Sequence, residues 1–132
     1  HFAAELTGRF LIEREPLASL ALTVDTSSIT AIGNDFGFKD IFSRQLKGIG
    51  ADGDILFGIT TSGTSPNVIS ALKTAKDIGI KTVLMTGNFP IKKNPHADYR
   101  LISTSRKTNY IQEGHLVMGH LICSLIEQSI YG

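Results

Sequence analysis

The sequence predicts an α/β domain with a doubly wound parallel sheet flanked by helices. Short apolar segments rich in β-branched residues alternate with longer segments of helical periodicity, the order that parallel α/β units produce. The first three short segments are almost continuously apolar, as strands covered on both faces are. The length of 132 residues, with 42% apolar and 19% charged residues, fits one globular domain over residues 1–132.

Four segments are predicted as strands. They cover residues 19–24 (SLALTV), 55–60 (ILFGIT), 82–86 (TVLMT) and 99–103 (YRLIS). Each is short and apolar, and short turns join them to the segments between, so a parallel sheet follows. Residues 88–95 (NFPIKKNP) are predicted as a solvated loop.

Helices are predicted around these strands, over residues 2–13, 38–49, 66–78 and 109–130. Residues 26–32 are compatible with a helix or a strand, and we favour a helix because Asp25 could cap it. The helix at 66–78 has the clearest ends, with Ser65 as N-cap, Pro66 at the first position and Gly79 after the last. The inward-facing residues predicted for 38–49 and 109–130 are Ile41, Phe42, Leu46 and Ile49, and Ile111, Leu121 and Leu125.

Charge and composition exclude several classes of protein. The net charge is +1 and there is no basic run, so the chain lacks the electrostatic pattern of a nucleic-acid-binding protein. No apolar run approaches the ~20 residues that span a bilayer, and nothing resembles a signal peptide. The single cysteine, Cys123, falls in an apolar helical segment, which indicates a reduced core thiol and a cytoplasmic location.

A hydroxyl-rich loop follows the second predicted strand. Residues 60–65 (TTSGTS), hereafter the hydroxyl loop, carry five hydroxyls and one glycine and lead directly into a helix. Helix N-termini favour anions, and hydroxyls add donors, so the loop suits a phosphate monoester. The absence of a following Gly-Lys-Ser/Thr excludes a nucleotide P-loop. A capped turn of small polar residues is the alternative.

Several motifs carry a resemblance to a known family. The hydroxyl loop and its flanks, residues 58–69 (GITTSGTSPNVI), resemble the phosphosugar loop of the sugar-isomerase (SIS) domain family. Further motifs are similar to phosphoheptose isomerases within that family: residues 1–9 (HFAAELTGR), 32–37 (IGNDFG), 42–45 (FSRQ) and 111–115 (IQEGH), continuing to His120. The motifs occur in the family's order along nearly the whole chain.

The resemblance implies a fold, an activity and a setting. The fold is the flavodoxin-like SIS sheet. The activity is conversion of D-sedoheptulose 7-phosphate to D-glycero-D-manno-heptose 7-phosphate through an enediol, for heptose in bacterial lipopolysaccharide or capsule. The resemblance also implies a cytoplasmic homotetramer with active sites at subunit interfaces, and one zinc ion per subunit.

The resemblance also implies site residues, by position. The catalytic residues are Glu5 as the base and His120 as the partner acid/base. The expected substrate contacts are Glu5, Asn34, Asp35, Thr60, Thr61, Ser62, Ser65 and Gln112. The expected zinc ligands are His1, Glu5, Gln112 and His120. Glutamine is a weak zinc donor, so an exchangeable ion is predicted.

The residues alone leave alternatives open. His1 and Glu5 share one helix face and suit metal binding or proton transfer, but such pairs also occur on solvated faces. Gln112 and His120 are about 12 Å apart along a helix. Their side chains could lean together to bind one ion, or different subunits could supply the ligands of one site. Asp35 could contact a sugar hydroxyl or cap the following helix.

Two rival functions share the resemblance. Non-catalytic SIS scaffolds that bind the replication initiator lack the glutamate and the late histidine, whereas Glu5 and His120 are both present here. Phosphosugar-sensing regulators carry a helix-turn-helix upstream of the domain. Because the chain starts at His1, we expect it to be N-terminally incomplete, without the family's N-terminal helices, first strand and Gly-Asn-Gly-Gly-Ser turn.

Overall fold

A computed structural model describes residues 1–90 and 94–132 of the chain. Its elements, in order, are α1 (Phe2–Thr7), α2 (Thr26–Phe36), a 3₁₀ turn (Phe38–Asp40), α3 (Ile41–Ile49), β1 (Ile55–Ile59), α4 (Pro66–Asp77), β2 (Lys81–Thr86), β3 (Tyr99–Ile102) and α5 (Thr108–Tyr131). None of the helices in the described residues is long and apolar enough to cross a membrane.

The three strands form a parallel sheet in the order β1-β2-β3. Ile55 pairs with Lys81, and Val83 pairs with Tyr99. Three of the predicted strands and the parallel α/β class are therefore confirmed. The predicted loop at 88–95 is only partly covered, because residues 91–93 lie outside the described residues.

The strand predicted at 19–24 is wrong, because this segment is irregular. The amide of Val24 donates to the Ala21 carbonyl in a turn, and the side-chain amide of Gln45 donates to the Leu22 carbonyl at 3.0 Å. The segment packs through Leu22 against the core formed by Leu46, Ala75 and Ile80. Its apolar character therefore reflects packing under α3 and α4, without the ladder of hydrogen bonds that a strand requires.

The helical predictions hold with adjusted ends. Residues 26–32 are helical and extend to Phe36, and the Asp25 carboxylate accepts from the Ser28 amide as the predicted cap. The first helix is shorter than the predicted 2–13 and ends at Thr7. The amides of residues 10–12 donate to the Glu127 side chain, so this backbone is satisfied outside a helix.

Helices cover both faces of the sheet. Val68 and Leu72 of α4 pack with Leu84 of β2 on one face. On the other face Phe2 of α1 meets Phe57 of β1 edge-to-face, with ring centroids 4.8 Å apart. The helices α1 and α5 contact each other on this second face, and this contact sets the relative positions of the predicted catalytic residues.

The inward-facing residues predicted for the helices at 38–49 and 109–130 are only partly confirmed. Ile41, Leu46 and Ile111 are buried, but Ile49, Leu121 and Leu125 are more than half exposed. The buried residues of α5 recur every four positions: Ile111, His115, Gly119, Cys123 and Glu127. Leu121 and Leu125 lie off this stripe and share an exposed apolar face with Val117. Apolarity alone could not distinguish the face toward the sheet from a second apolar face.

The Asp98 carboxylate gives one prediction for acid stability. The Lys76 ammonium above all, and the Thr82 amide, lower the pKa of Asp98 to about 2. Because the folded-state pKa is depressed, this stabilisation is present above about pH 4 and is lost as the pH falls toward 2. We expect Asp98→Asn to lower the free energy of unfolding at pH 6 and to flatten its fall between pH 4 and 2. Denaturant unfolding across this range measures both, with Asp77→Asn as the exposed control; an unchanged slope in Asp98→Asn would contradict the prediction.

Candidate functional site

The hydroxyl loop lies at the carboxyl end of β1, where parallel sheets bind ligands. The Thr60 amide continues the ladder by donating to the Met85 carbonyl at 3.0 Å, and the Thr61 carbonyl accepts from the Gly87 amide at 2.9 Å. Gly63 has a φ of 73°, a left-handed conformation that glycine adopts without strain. The start of the loop is therefore held against the end of β2 and the residue that follows it.

The loop hydroxyls bond to one another. The Thr60 Oγ1 lies 2.7 Å from the Ser65 Oγ and 3.4 Å from the Ser62 Oγ, and the Ser62 Oγ accepts from the Thr64 amide. Ser65 is at the N-cap position of α4, as predicted, but its side chain makes no capping hydrogen bond. Its hydroxyl instead turns back across the loop toward Thr60.

The residues of the hydroxyl loop differ in solvent exposure. Thr60 is buried, whereas Ser62 and Thr64 are exposed and Thr61 and Ser65 are half-buried. The exposed hydroxyls lie at the N-terminus of a twelve-residue helix, whose dipole favours an anion. This arrangement can present several hydroxyl donors to a phosphate group, while the buried Thr60 hydroxyl holds Ser62 and Ser65 in place through its contacts with them.

Asn34 and Asp35 lie in the last turn of α2, both exposed, and the Asn34 side-chain amide donates to the Asp35 carboxylate at 2.8 Å. Asp35 does not cap the 3₁₀ turn that follows.

Asp35 lines an open cleft of about 570 Å³ together with Leu20, Val24, Phe36 and Arg44. A second open cleft of about 590 Å³ runs past Thr64, Ser70, Lys73 and His96. The residues described as lining these clefts do not bring Asp35 and the hydroxyl loop into one cavity.

The predicted catalytic residues are on two helices that contact each other. His1 precedes α1 and is exposed, and Glu5 is half-buried one turn later, where its amide donates to the His1 carbonyl. His120 is exposed on α5 and its ring stacks on Phe10, with centroids 5.4 Å apart. Burial, followed by the charges of Glu5 and Glu127, raises the pKa of the Cys123 thiol on α5. The negative charge of Glu5 on α1 therefore acts on Cys123, which lies three residues after His120 on α5.

Gln112 lies two turns before His120 on α5 and is exposed. Among residues 1–90 and 94–132, no three His, Cys, Asp or Glu side chains lie close enough to hold a metal ion. Imidazole, carboxylate and amide are donors that zinc accepts. The three predicted ligands that are histidine or glutamate, His1, Glu5 and His120, therefore do not form such a group in the described part of the chain.

Sequence reasoning missed a buried ion pair beside these residues. The Arg14 Nε lies 2.8 Å from the Glu127 Oε1, and both side chains are almost fully buried. Because 113 residues separate the two along the chain, no local pattern could link them. The available signal was an acidic residue on the buried stripe of α5, a position that an unpaired carboxylate avoids.

Comparisons by sequence and by structure both relate this chain to the same group of proteins. The sequence model of the SIS domain matches residues 1–87. The phosphoheptose isomerase of Akkermansia muciniphila is 47% identical over all 132 residues, which cover 70% of that protein, and that of Sulfurimonas denitrificans is 50% identical, with 68% covered. A solved phosphoheptose isomerase from Francisella tularensis superposes with a TM-score of 0.89 at 39% identity, over 97% of this chain and 69% of that one.

Proposed function

The chain belongs to the SIS domain family and, within it, to the phosphoheptose isomerases, and on this premise we propose that it converts D-sedoheptulose 7-phosphate to D-glycero-D-manno-heptose 7-phosphate. It is an aldose–ketose isomerase. The observation that supports this most is the hydroxyl loop at the carboxyl end of β1, in a chain that shares about half its residues with phosphoheptose isomerases.

The hydroxyl loop takes the phosphate in this proposal. The hydroxyls of Thr61, Ser62 and Ser65 donate to the phosphate oxygens, and the N-terminus of α4 adds its dipole. Thr60 holds the loop in shape through its bond to Ser65. Asn34, Asp35 and Gln112 take the sugar hydroxyls. Because Asp35 and Thr64 of the hydroxyl loop line different clefts, we propose that a second copy of the chain or closure around the substrate brings these contacts together.

The chemistry needs a base at carbon and an acid at oxygen. The Glu5 carboxylate removes a proton from C1 of the ketose, and the electron pair forms the C1–C2 double bond of the enediol. His120 gives a proton to the C2 oxygen and takes one from the C1 oxygen. The protonated Glu5 then returns its proton to C2, which completes the aldose.

The exposed apolar face of α5 supports an assembly of several copies. Val117, Leu121 and Leu125, at a spacing of four residues, are each more than half exposed, and they form an apolar stripe along one face of the helix. We propose a homotetramer in the cytoplasm, with active sites completed across its interfaces, that supplies heptose for lipopolysaccharide or capsule. Neither a membrane nor a nucleic acid is a partner in this proposal.

Zinc is proposed as an exchangeable ion shared between copies. His1, Glu5, Gln112 and His120 would hold it, and a bound zinc ion supplies Lewis acidity toward sugar oxygens. Because His1, Glu5 and His120 do not form a group of three ligands in the described part of the chain and glutamine is a weak donor, we expect dialysis against a chelator to remove the ion. Metal analysis before and after dialysis measures this, with His120→Gln expected to retain less zinc than His96→Gln. Stoichiometric zinc after prolonged chelation would contradict the proposal.

The direct test of the function is turnover of sedoheptulose 7-phosphate by the full chain. We expect aldoheptose 7-phosphate to form at a rate typical of enzymes, about 1–10³ s⁻¹. Product is measured by ³¹P and ¹H NMR. Purified, folded protein that binds the sugar phosphate without turning it over would favour the non-catalytic scaffold.

A further inference from the structure

The Glu127 carboxylate joins α5 to the segment that follows α1. Its Oε1 accepts from the Phe10 amide at 3.0 Å and from the Arg14 Nε at 2.8 Å. Its Oε2 accepts from the amides of Leu11 and Ile12 at 2.9 and 3.3 Å. Three consecutive backbone amides and one guanidinium therefore converge on one buried carboxylate.

Arg14 extends this connection to α1 itself. Its Nη2 donates to the Glu5 carbonyl at 2.8 Å, and its Nη1 donates to the Leu6 carbonyl at 3.0 Å. These carbonyls lie in the last turn of α1, where helical partners run out. The guanidinium thus bonds directly to the backbone of the residue that carries the proposed base.

Phe10 brings the same connection to the proposed acid. Its amide is held by Glu127, and its ring stacks on the His120 imidazole at an interplanar angle of 19°. His120 and Glu127 lie two turns apart on α5. One ion pair therefore contacts the backbone of Glu5 and, through Phe10, the ring of His120.

We propose that the Arg14–Glu127 pair is a positioning device that fixes the distance between Glu5 and His120 for proton transfer. The inference rests on the proposed function. Positioning within a fraction of an ångström is what proton transfer requires, because a misplacement of about 1 Å can reduce the rate about 100-fold. Neither member of the pair is predicted to touch the substrate.

The chemistry of the pair favours this role over a contribution to stability alone. A buried ion pair is often no more stabilising than apolar residues of the same volume. Burial would raise the pKa of Glu127, but the Leu11 and Phe10 amides, followed by Arg14, lower it below its usual value. The carboxylate is therefore ionised at neutral pH and binds its donors as a charged acceptor, which makes the geometry stiff.

The test measures a ratio that does not depend on how much of the protein is folded. During isomerisation in D₂O, the proton that Glu5 holds while the enediol is present can exchange with solvent, and its return to C1 then places deuterium in recovered sedoheptulose 7-phosphate. The deuterium in recovered substrate, divided by the product formed, reports how quickly the enediol is reprotonated in active molecules. Loss of folded protein lowers both quantities together and leaves the ratio unchanged.

We expect Glu127→Gln, in the full chain, to raise this ratio by about threefold or more and to lower kcat by about 10- to 100-fold, with KM within about twofold of wild type. Phe10→Leu, which keeps the ion pair and removes the ring from His120, is expected to raise the ratio in the same direction. Glu13→Gln, an exposed carboxylate in the same segment, is the matched control and is expected to match wild type.

The outcomes separate this inference from the proposed function. An active wild type with an unchanged ratio in both Glu127→Gln and Phe10→Leu overturns the positioning role and leaves the isomerase intact. If Glu127→Gln does not fold, an unchanged ratio in Phe10→Leu alone overturns it. A wild-type chain that does not turn over the sugar phosphate overturns the proposed function, and this inference with it.

Discussion

Replacing Glu5 by glutamine is expected to reduce kcat for sedoheptulose 7-phosphate by about 10²- to 10⁴-fold, the range that a general base contributes. Glutamine keeps the size of the side chain and removes the group that accepts the C1 proton. The substitution should leave α1 in place, because the bonds from Arg14 end on the main-chain carbonyls of Glu5 and Leu6. Affinity for the sugar phosphate should change little, since the phosphate contacts that we propose are at the hydroxyl loop.

His120→Gln is expected to reduce kcat to a similar extent, for a different reason. It removes the group that moves protons between the two sugar oxygens, and it also removes the ring that stacks on Phe10. Steady-state kinetics, titration calorimetry with the substrate and thermal unfolding together separate catalysis, binding and folding. Glu13→Gln is the control for Glu5→Gln. Turnover within about threefold of wild type in either active-site variant would remove that residue from the mechanism.

The features that could be predicted from the sequence are those set by residues close together along the chain. The helix α4 begins at Pro66 and is followed by Gly79, whose φ is 82°, because proline and glycine act within a turn of their own position. Asp25 caps α2 for the same reason. The hydroxyl loop was found because strand, turn and helix follow one another directly along the chain.

What sequence could not predict depends on contacts distant along the chain. Residues 19–24 have the composition of a strand, yet their carbonyl and amide groups meet a turn and the Gln45 side chain. Leu121 and Leu125 have the composition of a core, yet the stripe that faces the sheet passes through Gly119 and Cys123. The Arg14–Glu127 pair joins positions that no periodic pattern relates.

The catalytic and zinc-binding assignments stay predictions for a related reason. Glu5 and His120 are on helices that contact each other, which agrees with a shared active site, and Gln112 lies farther along α5. A site completed by a second copy would bring residues together that one chain keeps apart. Oligomer interfaces leave only exposed apolar residues such as Leu116 and Val117 as their signal in one chain.

The hydroxyl loop gives a prediction on substrate binding. We expect Ser62→Ala combined with Ser65→Ala to raise KM for sedoheptulose 7-phosphate by about 100-fold or more, because each lost hydrogen bond to a charged phosphate costs about 1.5–3 kcal/mol. Since both hydroxyls bind the phosphate equally in the ground state and the transition state, kcat should fall only severalfold. This pattern is the reverse of the one expected for Glu5→Gln.

The single variants separate binding from loop shape. Ser62→Ala removes a phosphate donor and the acceptor of the exposed Thr64 amide, whereas Ser65→Ala removes a phosphate donor and the 2.7 Å contact with the buried Thr60, so Ser65→Ala should lower thermal stability more. Ser129→Ala, an exposed serine at the end of α5, is the matched control. Inorganic phosphate should compete with substrate in wild type and lose affinity in parallel with KM in the variants. If KM in the double variant stays within about threefold of wild type, the Ser62 and Ser65 hydroxyls do not bind the phosphate.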